Sequence, residues 1–436
     1  MQELRVGILG FGVVGRGVAD LLLTRTALLL QRTGVALRLV RIATRTPERD
    51  RGLELGSVEV TRDLQRVVAA DDIDVVIELI GGLEPAKSLV LEALTNGKHV
   101  ITANKALIAV HGAELTARAA AVGRELLFEA AVAGAIPVIK VLREGLAANQ
   151  IDQIYGILNG TCNYILTAMR EKGAAFADVL KEAQAKGFAE ADPSFDIDGI
   201  DAAHKLAILA AIGFGSFPRF DQIHVEGIRH ISDVDIAWAT EMGYRIKLLG
   251  IAKRDAEGLE LRVQPTLVPE AGMVASVEGV FNAVFIRGDA AGTTMYYGRG
   301  AGERPTASAV MADLVDIARN GQAAVVQRVA SFSTLPSYLS SQPVREAAEW
   351  RGEYYLRLAV ADQPGVLAEV TAVLARQQIS IDAIHQKGRS DVAAVPLIMV
   401  THETTEGQVR AALAAMEQLE AVREPPRFIR IEPGFV

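Results

Sequence analysis

Cysteine is all but absent from this chain. Cys162 is the only one in 436 residues, so no internal disulfide can form, and a reducing compartment fits. Aromatics are scarce, at 5%, and no basic run interleaves with them. Lys and Arg number 45 against 53 Asp and Glu, a net charge of −8, and a nucleic-acid partner is not expected. Long apolar runs are missing as well. The stretch 206–217 (LAILAAIGFGSF) falls short of a membrane span and is broken by glycine, so no membrane association is expected. The opening MQELRVGILGFG enters a strand without the basic and apolar segments of a signal peptide, which points to a cytoplasmic location. The seven histidines show neither H-x₃-H nor H-E-x-x-H spacing, and no catalytic transition metal is expected. Internal repeats and low-complexity segments are also lacking.

What is present is a rhythm. Up to residue 133, short β-rich runs alternate with helical stretches, as in a doubly wound parallel sheet. Strands are expected at Leu4–Leu9, Ala36–Ala43, Val75–Leu79, His99–Thr102 and Leu126–Ala130, with helices at Val13–Leu30 and Glu84–Thr95. Residues 134–330 mix helices (about 136–147, 162–172, 176–186, 200–212, 235–250 and 306–320) with β-like runs at Ile151–Ile157, Ile223–Gly227 and Leu261–Thr266. This reads as a helix-covered α+β domain for substrate binding and dimerisation, whose last helix can return to the first domain. Serine and proline mark 331–351 as a linker. The tail, 352–436, has strand–helix–strand–strand–helix–strand order (Tyr354–Ala361, Gly365–Arg376, Ser380–Gln386, Val392–Thr401, Glu406–Met416, Phe428–Ile431), a ferredoxin-like module.

Three segments carry chemistry. Gly10, Gly12 and Gly15 form GFGVVG between the first strand and its helix, the placement that lets a backbone approach a pyrophosphate. The second strand ends in Ala43-Thr44-Arg45-Thr46-Pro47, with no acid before Glu48 to bind a ribose 2′-hydroxyl. Arg45 suits a 2′-phosphate, which favours NADP over NAD, or it is a solvated loop residue. Thr102-Ala103-Asn104-Lys105 lies at the carboxyl edge of the sheet, where Lys105 can meet a nicotinamide or a substrate carboxylate. Finally, Glu190–Lys205 (EADPSFDIDGIDAAHK) gathers five carboxylates and a lysine. Asp201 and Lys205 stand one helical turn apart, either as an exposed ion pair or as a working one.

VGILGFGVVG, ELIGG at 78–82, GKHVITANKAL at 97–107, EAAVAGAIPVI at 129–139, ILNGTCNYIL at 157–166, the 190–205 block and GRGAGERPTASAV at 298–310 together resemble homoserine dehydrogenase. YLRLAVADQPGVLAEV at 355–370 resembles an ACT domain, and with no aspartokinase-like segment ahead of it the chain resembles the monofunctional type. The resemblance implies NADP- or NAD-dependent interconversion of L-homoserine and L-aspartate 4-semialdehyde in threonine, methionine and isoleucine biosynthesis. It makes Lys205 the general acid/base, with Asp201 at the catalytic centre and Glu190, Asp201 and Thr161 on the substrate. The cofactor would be held by Gly10, Phe11, Gly12, Val13, Val14, Gly15, Arg45, Lys105 and Gly302. Glu129, Val132, Gly134 and Ile136 match a loop for a monovalent cation, Na⁺ or K⁺, or Glu129 is a solvated carboxylate. Asp362, Gly365 and Val366 would line an effector site for threonine, in a homodimer or homotetramer, or the module would only dimerise.

Asp198-Gly199 reads as a cap for the helix carrying Lys205. Cys162, without a local histidine, reads as a packing residue rather than the nucleophile that a phosphorylating semialdehyde dehydrogenase needs. That related oxidoreductase, and a non-catalytic NADP- and amino-acid-sensing protein, are the competing readings.

Overall fold

The run Val75-Val76-Ile77-Glu78 has no exposed residue, and a strand covered on both faces belongs in the middle of a parallel sheet. It is β4 of a six-stranded parallel sheet whose strands are β1 (Glu3–Leu9), β2 (Ala36–Ala43), β3 (Glu59–Thr61), β4 (Val75–Glu78), β5 (His99–Thr102) and β6 (Leu126–Leu127). Their order is β3-β2-β1-β4-β5-β6, the Rossmann-like arrangement. The computed structural model describes residues 2–387 and 394–433.

The chain divides into two units, one formed by Met1–Gly160, Asp201–Ile223 and Val280–Gln342, the other by Thr161–Ile200, His224–Gly279 and Pro343–Val436. In the first, the helix Glu303–Gln322 returns to the parallel sheet. Its Ala307, Val310, Met311 and Leu314 share one core with Val6, Ile8, Ile42 and Val75. It lies so close to helix α1 (Val13–Thr24) that a Cβ on Gly17 would come within 2.9 Å of the Glu303 carbonyl oxygen. The strands 151–157, 281–288 and 292–299 run antiparallel side by side in this unit.

Several expected elements change form. The single helix over Val13–Leu30 is two, broken at Arg25, where the Thr24 hydroxyl bonds back to the Asp20 carbonyl at 2.6 Å. Residues 136–147 hold a short helical turn and a π-type stretch over Val141–Gly145, and the Arg143 guanidinium there donates to the carbonyls of Val329 and Ala330. The helix over 235–250 ends at Glu241, because Gly243 adopts a left-handed φ of 79°. Tyr244–Arg254 is instead a strand, paired along its whole length with Leu259–Pro269. The edge strand β3 and the hairpin Phe281–Arg299 had no counterpart in the sequence reading. Leu126–Ala130 is a strand only at Leu126–Leu127 before a 3₁₀ turn at Glu129–Ala131.

In the second unit, strands 427–431, 351–360, 395–401 and 381–386 lie in that order, with helices Val366–Arg376 and Glu406–Met416 contributing to a core of Leu356, Leu358, Val370, Val409 and Met416. This is the ferredoxin-like order. The expected strand start at Val392 lies outside the described residues. Strand 427–431 also pairs in parallel with 259–269, so the mixed sheet runs on without a break in this unit. Buried charges accompany that seam, with Arg262 donating to Glu260 at 2.6 Å and to Glu432 at 2.7 Å.

Asp235 ties a helix to the module. One carboxylate oxygen closes a capping box with Ser232 at the start of Asp233–Glu241, and the other accepts from the Tyr355 hydroxyl (3.1 Å) and from Arg357 (2.7 Å). Burial and the Asp235 charge push the Tyr355 phenol far up. Replacing Asp235 by Ala would leave a largely buried guanidinium uncompensated and open the capping box, with the Ser232 cap itself retained, at a cost of about 3 kcal/mol. A fall in the denaturant midpoint is the expected result.

Candidate active site

The carboxyl ends of β1, β4 and β5 build one edge of the site. Gly10 has φ 103°, and a Cβ on Gly15 would overlap the Gly10 carbonyl, so the turn closes only around glycines. A Cβ on Gly12 would meet nothing within 4 Å, and no side chain caps helix α1 there. Its first N–H groups therefore fit an anionic pyrophosphate. Within the loop Phe11 is buried, Val14 half-buried and Val13 exposed. Arg45 is exposed beyond β2, while Glu48 is engaged by Arg62 at 2.9 Å. The sequence reading missed Arg51, which stacks 4.6 Å over the Phe11 ring and donates to the Phe11 carbonyl and the Thr44 and Thr46 hydroxyls. Nothing in the sequence marked it, because its partners come from two different loops.

Glu78, wholly buried at the end of β4, explains the ELIGG and TANK motifs together. Its carboxylate accepts from the N–H groups of Ile80 and Gly81 and from the Thr102 hydroxyl. Asn104 then caps the helix Lys105–Ala121, its Oδ1 accepting from Leu107 N–H and its Nδ2 donating to the Gly82 carbonyl. Lys105 is thereby held at the first turn of that helix.

Lys105 and Lys205 meet on one carboxylate. Asp201 Oδ1 lies 3.2 Å from Lys105 Nζ, and Asp201 Oδ2 accepts from Lys205 Nζ at 2.7 Å and from Asn159 Nδ2 at 2.9 Å. Lys205 Nζ also donates to the Leu158 carbonyl at 2.7 Å. Asp201 and Lys205 are 5% and 9% exposed, so the surface ion-pair reading does not hold. Burial pushes the Asp201 carboxyl up, but Lys205, Lys105 and Asn159 more than offset it and leave it at about 2. Asn159 was missed by the sequence reading. His204, on another face of the Lys205 helix, stacks on Phe220 at 4.4 Å and is held down to about 4 by burial and by Lys105.

Other expected residues are placed as follows. Gly302, with φ 128°, precedes the helix Glu303–Gln322. Thr161 and Glu190 belong to the second unit. There the Thr161 hydroxyl donates to the Phe188 carbonyl at 2.7 Å, and Glu190 is exposed. Asp198 does not cap the Lys205 helix, because both its oxygens accept from Arg229. Cys162 is fully buried, its Sγ 3.2 Å from the Asp196 carbonyl. In the ferredoxin-like module Gly365, at φ 97°, opens the helix Val366–Arg376, with Val366 buried and Asp362 half-buried.

Glu129 is not solvated. Its carboxylate accepts from the N–H groups of Ile139 and Lys140, and its own N–H donates to Asp313 Oδ2 at 2.8 Å. Nearby, Ala133 and Gly134 take positive φ values of 55° and 51°. Asp313 is 1% exposed, and its Oδ1 has no hydrogen-bond partner among the described residues. Burial raises both carboxyls, and repulsion from Asp313 adds to the rise at Glu129.

A Rossmann-like sheet with a glycine turn, in a unit that also buries a lysine–carboxylate cluster, defines a dinucleotide-dependent oxidoreductase. Residues 137–315 match the homoserine dehydrogenase family, 10–129 its NAD-binding domain and 354–421 the ACT domain. A homoserine dehydrogenase of Pseudomonas aeruginosa is 49% identical over 99% of both chains. The crystal structure of one from Thiobacillus denitrificans superposes with a TM-score of 0.94 at 50% identity, again over 99% of both chains. A hyperthermophilic archaeal homoserine dehydrogenase in complex with NADPH gives 0.62 at 28% identity, covering 72% of this chain and 97% of its own. The chain belongs to the homoserine dehydrogenase family.

The Glu129–Asp313 pair makes stability pH-dependent. A carboxyl raised in the folded state keeps its proton after the unfolded chain has lost it, so stability is full at acid pH and declines as pH rises through neutrality. In Asp313→Asn the decline from about pH 5 to about pH 8 should shrink by roughly 1–2 kcal/mol. Melting temperatures across that range check it.

Proposed function

We propose that the protein interconverts L-homoserine and L-aspartate 4-semialdehyde, with Lys205 as general acid/base. The observation that carries this reading is the setting of the Lys205 ammonium. Two of its three N–H groups are taken by Asp201 and the Leu158 carbonyl, which among the described residues leaves the third for a substrate oxygen. When bound, the nicotinamide accepts or gives the hydride. As the neutral amine Lys205 takes the proton that the C4 hydroxyl releases, and as the ammonium it returns that proton to the aldehyde oxygen. Asp201 pairs with both lysines, so that Lys205 is not buried uncompensated, while the Lys105 side chain keeps 32% of its surface exposed. Lys105 is assigned to the nicotinamide side of the cofactor or to a substrate carboxylate.

The glycine turn, Phe11, Val13, Val14, Lys105 and Gly302 are assigned to the cofactor. NADP is favoured because Arg45 is exposed beyond β2 and the nearest acid, Glu48, is already paired. NADPH in the archaeal relative points the same way. An all-oxygen set of Glu129 and the carbonyls of Val132, Gly134 and Ile136 would suit Na⁺ or K⁺. With both Glu129 oxygens already on backbone N–H groups, the carbonyls would carry most of the coordination. Asp362, Gly365 and Val366 are assigned to an amino-acid effector, threonine, in a cytoplasmic homo-oligomer. Cys162, buried against a carbonyl, does not favour a thiol-dependent semialdehyde chemistry.

Lys205→Ala should lower kcat for homoserine oxidation by about 10²–10⁴-fold, with the cofactor Kd little changed. Wild-type turnover in that variant would refute the assignment. Arg45→Ala should raise the Kd for NADPH by roughly tenfold and leave that for NADH unchanged, measured by cofactor fluorescence. Equal effects on both would remove Arg45 from the 2′-phosphate.

A further inference from the structure

We infer that Asn282 is a positioning residue for the Lys205 ammonium. The inference rests on Lys205 as the acid/base and adds what holds it in place. Asn282 is the second residue of the strand Phe281–Gly288, where Ala283 pairs with Ile157. It therefore faces Leu158, at the point where the strand Ile151–Ile157 has ended and the Leu158 carbonyl has lost a ladder partner. The Asn282 side chain, 1% exposed, takes over that role, with Nδ2 donating to Leu158 O at 3.0 Å. The same oxygen accepts from Lys205 Nζ.

The peptide joining Leu158 to Asn159 thus controls both ends of the lysine–carboxylate pair. Its carbonyl holds Lys205, and the side chain of Asn159 holds Asp201 Oδ2. Asn282 fixes the orientation of that peptide. Its amide is itself confined by two glycines. A Cβ on Gly300 would overlap it, and one on Gly160 would lie 3.5 Å from its Oδ1 and 2.6 Å from the Val280 carbonyl. Gly300 sits in the loop that leads to Gly302, so the loop assigned to the cofactor and the lysine are registered through one amide. The charged and titratable groups around Lys205 are Asp201 and His204 on its own helix and Lys105 from the helix Lys105–Ala121. The segments at 158–159 and 282 contribute neutral groups.

Two near-isosteric replacements test the role. Asn282→Leu removes the donor and lets the carbonyl turn away, so the ammonium loses an acceptor and the Lys205 pKa falls. Asn282→Asp places a negative charge near the ammonium, so the pKa rises. The pKa is read from the NMR titration of the Lys205 resonance in full-length protein labelled at lysine Cε, assigned by its loss in Lys205→Ala. Opposite shifts of roughly half a unit or more are expected, with kcat for Asn282→Leu down about tenfold. Unshifted resonances, or shifts of the same sign in both variants, overturn the inference. If Asn282→Leu does not fold, Asn282→Ala, which also removes the donor, takes its place, a fall supporting the role and no fall refuting it. Turnover surviving in Lys205→Ala would remove the acid/base reading instead, since the titration does not depend on activity.

Discussion

One buried carboxylate holds the arrangement together. Asp201 has two lysines and an asparagine on its two oxygens, and Lys205, buried beside it, would be costly to bury without it. The lysines come from helices that start at residues 105 and 200, and the asparagine from the end of a strand. Three segments far apart in sequence are thus obliged to converge on one carboxylate. The carbonyl of Leu158 completes the set, so Lys205 has few orientations open to it.

The parallel sheet supplies the rigid edge on which this depends. Glu78 does for backbone N–H groups what Asp201 does for ammoniums, pinning the turn after β4 to the threonine that ends β5. Asn104 can then cap its helix and bring Lys105 to the first turn. On the far side of the sheet's core, the close approach at Gly17 lets the helix Glu303–Gln322 return and carry Gly302 back with it. In the second unit, the seam at strand 427–431 and the Asp235 contacts make the ferredoxin-like module continuous with neighbouring elements.

Much of the fold was legible where pattern and chemistry agreed. Ala36–Ala43, His99–Thr102, Ile151–Ile157 and Glu406–Met416 form as expected, because alternation, β-branching or a capping threonine all point one way there. Misreadings fell where a local cue was outvoted. Tyr244–Leu249 has helical composition, yet a positive-φ glycine and a full-length partner strand make it extended. At the site, Lys105, Asp201 and Lys205 were visible as motif residues. Asn159 lay inside a quoted motif without a role, and Asn282, Arg51 and Asp313 lay outside every motif, since each acts through a partner far along the chain.

By itself the sequence determined which residues carry charge, where glycine must stand in the dinucleotide turn, and that Asp201 and Lys205 share a helix face. Those are local properties, set by composition and by periods of two and 3.6 residues. Tertiary structure decided that this pair is buried rather than solvated and that Lys105 joins it. It also decided that Glu129 faces backbone amides and another carboxylate, and that Asp198 pairs with Arg229 instead of capping a helix. Burial and charge pairing depend on which segments meet in space, and only the closed fold brings those segments together.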